Sequence, residues 1–344
     1  MRIGFYNPYF DSLSGGERYT LALASHWSEK HDVSLFWDEK DYCKKAEERF
    51  HLPLYRVHVV PNIFTHASFL QKIQMSKTYD CIFFLSDGSI PVSFAKQNIL
   101  HFQVPFSHIS FPLWKRSMYQ HIVVNSMFTK TYIDGYVGKK SSVIYPPVSV
   151  DLFTQGKKQK EIISVGRFSS SFQAKKQEVL IDAFRKGYEE KKFIGWKFVL
   201  LGGLLPEDNS YMDMLRKKAK GVPIEFYPNC SFEDLKKHYS QSMVYWHAAG
   251  FGETDPTKME HFGITTVEAM ASGCVPVVYE AGGQTEIVED GKNGYLWKTP
   301  EELLTKTLHA VDDAKELGNV ACTSSQRFSE EVFFRAFDRL LPSI

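Results

Sequence analysis

No stretch of this 344-residue chain approaches the ~18–20 apolar residues that a bilayer-spanning helix needs. Cysteine is scarce and unpatterned. Cys43, Cys81, Cys230, Cys274 and Cys322 stand singly, with no C-x-x-C. That argues against a disulfide framework or zinc ribbon and for a reducing compartment. Net charge is almost missing, at +1, so no overall field draws the chain to nucleic acid. G-x-G-x-x-G, the P-loop, G-x-S-x-G and H-E-x-x-H are all lacking. So are repeats of 20–50 residues, low-complexity tracts and coiled-coil heptads. Met1 runs directly into Arg2-Ile3-Gly4-Phe5-Tyr6, which reads as a strand and not as a secretory leader. A cytoplasmic protein is expected.

What is present is an α/β alternation, in a chain long enough for two domains. Strand 2–6, a loop with Gly15-Gly16, helix 17–29 and strand 32–37 make a Rossmann-like opening. At its plainest Gly15-Gly16 is a tight turn. The functional alternative is a pair of backbone N–H groups offered to a ligand. Helix 39–50, strand 55–60, a helical segment near 64–76, and strands 80–85, 98–102, 121–124 and 141–145 follow. Asn125-Ser126 should cap helix 127–136. Residues 146–160 lack periodicity and read as a linker. The alternation then restarts: strand 161–165, helix 174–190, strand 197–201, helix 209–220, strand 222–226, helix 231–240 and strand 243–247. Helix 299–316 comes later, and an amphipathic helix near 324–341 ends the chain. The domains are therefore drawn at 1–153 and 154–325, with a terminal helix at 326–344.

The stretch Trp246–Trp297 holds the densest signal. Glu260 and Glu268 stand eight positions apart, separated by His261-Phe262-Gly263-Ile264-Thr265-Thr266-Val267. Gly263 should end a loop, and Gly273 fits the stop just beyond a short helix. Val275–Val278 is a buried parallel strand, and Gly282-Gly283 opens another helix. Two helix N-termini, near 264 and 284, thus lie at neighbouring strand ends, where free N–H groups favour phosphate or sugar oxygens. The bland alternative, two solvated glutamates, fits Glu in general but not this glycine framework.

These residues carry a resemblance. Glu260-x7-Glu268, then Ala-Met-Ala-Ser-Gly-Cys-Val-Pro-Val-Val and Gly-Gly-x-x-Glu-Ile-Val, resembles the donor half of the retaining glycosyltransferases of family 4, across about 160–300. The resemblance implies the α/β GT-B fold: two Rossmann-like β/α/β domains facing a central cleft, with the acceptor on the first domain and a nucleotide-sugar donor on the second. No Asp-x-Asp ends an apolar strand, as the metal-dependent GT-A type requires, so a metal-independent hexosyltransferase is expected. It implies no cofactor. The donor, GDP- or UDP-linked, is a substrate, and the acceptor is a glycan, a lipid-linked glycan or a small molecule.

By the same resemblance, Glu268 should bind the donor ribose. Glu260 should grip sugar hydroxyls together with backbone N–H groups of Phe262, Gly263 and Ile264, beside Thr265. Asn229 and Cys230 stand where the base is held. Gly166-Arg167 and a lysine at the start of the next helix should clamp the diphosphate, with Lys175 preferred and Lys176 the other register. Gly15-Gly16 should approach the phosphate and the acceptor. His101 is expected nearest the reacting sugar, but an anchor at Pro105 gives that place to Gln103. Lys72, Lys77, Lys115 and Arg116, among Phe69, Leu70, Leu113, Trp114 and Tyr119, suggest peripheral contact with anionic membranes. A sugar-nucleotide epimerase and a non-catalytic sugar-nucleotide-binding module are the alternatives.

Overall fold

The computed structural model describes residues 1–12, 15–171 and 174–341. Two compact units emerge. Met1–Pro147 with Glu331–Ile344 forms one, and Val148–Glu330 forms the other.

The first unit is built on seven parallel strands: β1 (Arg2–Tyr6), β2 (Asp32–Phe36), β3 (Val57–Val60), β4 (Cys81–Leu85), β5 (Gln97–Phe102), β6 (His121–Val124) and β7 (Ser142–Val143). Their order is β3-β2-β1-β4-β5-β6-β7. β4 and β5 are buried at every position, because helices cover both faces of such a sheet. Helix Gly15–Ser28 lays Tyr19, Leu23 and Trp27 on one face. Helix Glu330–Asp338 returns the chain to this core. Its Phe333 and Phe337 meet Tyr19 edge-on at 4.8 and 5.9 Å, and Trp27 Nε1 donates to Asp338 Oδ1 at 2.9 Å.

The second unit holds six parallel strands: β8 (Gln159–Val165), β9 (Lys197–Gly202), β10 (Ile224–Pro228), β11 (Ser242–His247), β12 (Val275–Tyr279) and β13 (Tyr295–Trp297). Their order is β10-β9-β8-β11-β12-β13. Trp246, Phe184, Phe193 and Phe198 pack its centre. In each sheet the strand order reverses once, between β1 and β4 and between β8 and β11. Such reversals leave a crevice beyond the strand C-termini, where open α/β sheets bind ligands.

Several elements differ from the sequence expectation, among them helix Leu113–Arg116, which no periodicity marks. The segment near 64–76 divides into Ile63–His66 and Phe69–Ser76, the second opened by a Ser68/Gln71 capping box. The helix expected over 299–316 stops at Asp312, and a further helix, Ala314–Ser325, precedes the last one. No glycine or proline at 312–314 marks that break. It comes from packing, with Leu317 and Ala321 buried. β13 is only three residues long, too short for a periodicity to register. The linker region is also tied down: Val148 bridges Ser329, and Gly156 N donates to the Ser240 carbonyl at 3.1 Å. Among the described residues, no helix is long and apolar enough to cross a membrane.

Candidate functional site

The site in the second unit starts where β8 ends. Gly166 N donates to the Leu201 carbonyl at 2.9 Å and Phe168 N to the Gly203 carbonyl at 2.8 Å. Phe168 is fully buried, so it anchors the turn while Arg167 stays exposed beside it. Phe172 and Gln173, in the loop that follows, lie outside the described residues. Lys175 then crosses so closely that a Cβ on Gly166 would sit 2.7 Å from its Cγ. Lys176 adopts φ 55° immediately before helix Gln177–Glu189. The kink sends the two lysines to different partners. Lys175 Nζ meets Glu260 Oε2 at 2.7 Å, and Lys176 Nζ meets Glu253 Oε1 at 2.7 Å.

β11 brings His247 to the same place. Its Nε2 lies 3.1 Å from Glu260 Oε2. Burial opposes the ionised form of Glu260, but the Lys175 ammonium and the His247 hydrogen bond outweigh it and hold this carboxyl well below its usual pKa. The Glu260 loop is fixed by its backbone. Gly283 N donates to the Glu260 carbonyl at 2.8 Å. Gly282 needs its φ of 62°, and a Cβ there would sit 2.1 Å from that carbonyl oxygen. Gly263, at φ 123°, has the same lack of room against Gln284, with only glycine comfortable in that conformation.

Helix Ile264–Ala271 follows, and the N–H groups of its first turn, from Ile264 and Thr265, have no partner within the helix. Phe262 is buried against Phe328 at 5.2 Å, so its ring is turned away from a ligand. Glu268 is fixed from behind. The Tyr239 hydroxyl, kept protonated by burial, donates to Glu268 Oε2 at 3.1 Å. Tyr245 and Thr265 hydroxyls pair at 2.8 Å.

Asn229 is exposed, at φ 52°. Its side chain is committed to the β9 turn, accepting from Leu204 N at 2.9 Å and donating to the Leu204 carbonyl at 3.0 Å. Cys230 is half-buried, and burial raises its thiol pKa. Gly203 lies between Arg167 and Asn229. The acidic and histidine side chains around 247–261 otherwise diverge. Asp255 caps Thr257 N, and His261 turns to the Thr257 carbonyl at 3.2 Å. Among the described residues no group of three or more metal-ligating side chains is poised to hold an ion.

In the first unit His101 requires a correction. It is fully buried, stacked on Tyr19 at 4.2 Å, with Nδ1 3.2 Å from the Val123 carbonyl. It sits inside strand β5 beneath helix Gly15–Ser28 and cannot present its ring to a substrate. Gln103, just past the strand, is the residue that meets the glycine turn. Its Nε2 donates to the Gly16 carbonyl at 3.4 Å, and a Cβ on Gly16 would sit 2.8 Å from its Oε1. Gly15 begins the helix and is exposed.

In the sequence His247 stands out only as one of a set with Glu253, Asp255, Glu260 and His261 whose spacing matches no metal-ligand pattern, and Tyr239 does not stand out at all. Each looks like core: His247 ends an apolar strand, and Tyr239 lies on the buried side of a helix.

Residues 153–321 match the profile of the family described as Glycosyl transferases group 1. The chain carries a group 1 glycosyl transferase domain. That domain contains Gly166, Arg167, Lys175, Asn229, Cys230, Glu260 and Glu268. The GDP-Man:Man(3)GlcNAc(2)-PP-Dol alpha-1,2-mannosyltransferase of Xenopus laevis is 30% identical over 243 residues, 64% of this chain and 48% of that protein. The probable sucrose-phosphate synthase of Thermosipho melanesiensis is 30% identical over 195 residues, 54% of this chain and 44% of that protein. The chain thus spans about half the length of these curated relatives. HepE of Anabaena, crystallised in complex with UDP, aligns over 100% of both chains with a TM-score of 0.75 and 20% identity. That likeness shows the fold, which is GT-B.

Proposed function

We propose that the chain is a retaining glycosyltransferase. It moves a hexose, mannose first among the candidates, from a nucleotide-diphosphate sugar to a hydroxyl of a lipid-linked glycan, without a metal ion. The observation that carries this reading is the Lys175–Glu260–His247 cluster beyond β8 and β11, with Arg167 beside it. As the glycosidic bond breaks, negative charge grows on the leaving diphosphate. Arg167 and Lys175 are fixed cations for it, worth more in the transition state than in the ground state. Glu260 and the N–H groups of Gly263 and Ile264 take the sugar hydroxyls, Glu268 takes the ribose, and backbone atoms at Asn229 and Cys230 take the base. Gly15, Gly16 and Gln103 serve the acceptor side. The dolichol-linked, GDP-mannose names of the relatives support this donor and acceptor class. The test is nucleotide release from GDP-mannose, UDP-glucose and UDP-N-acetylglucosamine, with lipid-linked and free glycan acceptors, in EDTA. Turnover in EDTA with the donor's anomeric configuration kept in the product is expected. Donor binding without release across the acceptor panel would leave a binding module, and rescue by Mn²⁺ would overturn metal independence.

A lipid-linked acceptor goes with a membrane-facing surface on the first unit. Phe69 and Leu70 are exposed on helix Phe69–Ser76, Leu113 and Trp114 on helix Leu113–Arg116, and Phe94 lies between. Phe94 N donates to Ser76 Oγ at 3.0 Å, and Lys115 reaches the Ile90 carbonyl, so the segments adjoin. From 49 to 133 the only acidic residues are Asp80 and Asp87, against eight lysines and arginines. Cations beside exposed apolar side chains favour an anionic bilayer. Co-sedimentation with phosphatidylserine vesicles at low salt is expected and should weaken in Leu113→Ser/Trp114→Ser. No binding at low salt would remove the membrane from the reading.

A further inference from the structure

We infer that His247 is a positioning residue that holds the Glu260 carboxylate in place when Lys175 is drawn away by a donor diphosphate. The inference rests on the reading above, in which Lys175 serves the diphosphate and Glu260 the sugar.

Two donors converge on one oxygen, Glu260 Oε2: Lys175 Nζ at 2.7 Å and His247 Nε2 at 3.1 Å. Among the described residues the other oxygen, Oε1, has no hydrogen-bond partner, which leaves it for a hydroxyl. An ionised carboxylate only accepts, so the proton between the two side chains belongs to His247 Nε2. Burial lowers the His247 pKa, against the pull of Glu260, and the ring is therefore a neutral donor through Nε2.

The two donors differ in their freedom to move. Lys175 sits on the segment before a helix, with 19% of its side chain exposed on a flexible four-carbon stem. His247 is the last residue of a strand paired on both sides in the middle of the sheet. Its ring is 3% exposed, and its carbonyl accepts from Trp297 Nε1 at 3.2 Å. A diphosphate competes for Lys175 but cannot draw His247 out. With only Lys175 as partner, Glu260 would lose its orienting bond when the donor arrives. With His247 it keeps one, and Oε1 stays aimed. Nδ1 of the same ring is buried with no partner among the described residues. The fold tolerates that unpaired acceptor, at a position where a hydrophobic residue would fit a strand end without the cost.

The test compares GDP and GDP-mannose binding by calorimetry on the full chain, together with kcat. The ratio of the two affinities isolates what the sugar contributes. His247→Ala is expected to lower that ratio about as much as Glu260→Ala, to leave GDP affinity within about twofold, and to lower kcat at least tenfold. The double variant should lose no more than Glu260→Ala alone. His247→Gln, whose amide N–H replaces Nε2–H, should recover most of the ratio. GDP serves as the folding control for each variant. If His247→Ala weakens GDP and GDP-mannose equally, or leaves the ratio at the wild-type value while Glu260→Ala lowers it, the inference fails and the reading of Glu260 stands. If Glu260→Ala itself leaves the ratio unchanged, the reading of the site fails first.

Discussion

At the scale of single residues, the adjacent lysines show what spacing cannot tell. The sequence places Lys175 and Lys176 at the start of one helix and leaves the register open. The left-handed backbone at Lys176 decides which partner each one finds. Lys176 is tied to Glu253, on a loop held also by Lys258 at 3.8 Å, so its charge is spent on the fold. Lys175 holds a carboxylate assigned here to sugar, and Arg167 has no ion-pair partner among the described residues. Removing a cation from the leaving diphosphate should cost ~10²–10³ in kcat, as for loss of an oxyanion donor. Arg167→Ala and Lys175→Ala are expected to show that loss with a smaller change in nucleotide affinity. Lys176→Ala should stay within about threefold of wild type, as expected for a surface pair worth ~1 kcal/mol or less. Steady-state kinetics of the three variants decide the register, since a silent Lys175→Ala beside a dead Lys176→Ala reverses it. Glu260, Glu268 and their glycines were legible in the sequence, because backbone close approach demands glycine at fixed offsets. His247 and Tyr239 were not, because a buried polar residue on an apolar strand or helix face looks like core until its partner is known.

At the scale of elements, the parallel strands were legible for a physical reason. Covered on both faces, they read as apolar runs, and most are followed by a turn and a helix. What the pattern could not show is which strand residue looks out. His101 sits near the C-terminal end of β5, where a ligand-facing residue is expected. Strand alternation puts His101 and Gln103 on the same face: His101 lies under helix Gly15–Ser28 against Tyr19, and Gln103, past the strand end, meets only the first turn of that helix at Gly16. Burial pushes the His101 pKa down to about 3. An unfolded histidine titrates near ~6.5, so between these values the unfolded chain holds a proton that the native chain refuses. This group's contribution to stability is therefore complete above ~6.5 and falls, by up to ~1.4 kcal/mol per pH unit, as the pH drops toward 3. His101→Phe keeps a ring against Tyr19 and removes the titration. Denaturant unfolding of the variant should show a shallower acid loss, by about one proton, between roughly pH 6 and 4. A parallel pH dependence in the two proteins would falsify the buried, neutral histidine.

At the scale of the whole molecule, the chain passes from the first unit to the second at Pro147–Val148 and returns at Glu330–Glu331. In the sequence the last helix shows one amphipathic face, with Val332, Phe333, Ala336, Phe337 and Leu340, and the return of that helix to the first unit is what the family resemblance implies. The sequence pattern placed the start of the last helix too early because Ala314–Ser325 continues the helical composition without a stop signal. The consequence is that the first unit's core is completed by residues some two hundred positions after its last strand, a closure that is entropically modest. Phe337 is fully buried and contacts Tyr19, Trp27 and Phe83 edge-on. Phe337→Ala removes those ring contacts and leaves a cavity, for an expected loss of ~3–5 kcal/mol. That loss should be local to one unit. Hydrogen–deuterium exchange is expected to accelerate in β1, β4 and β5, the strands under this cluster, and to stay near wild type in β8 and β11. GDP affinity, assigned to the second unit, should hold while acceptor-dependent turnover falls. Equal loss of protection in β8 and β11 would mean that the units unfold as one, and that the terminal helix stabilises the chain as a whole.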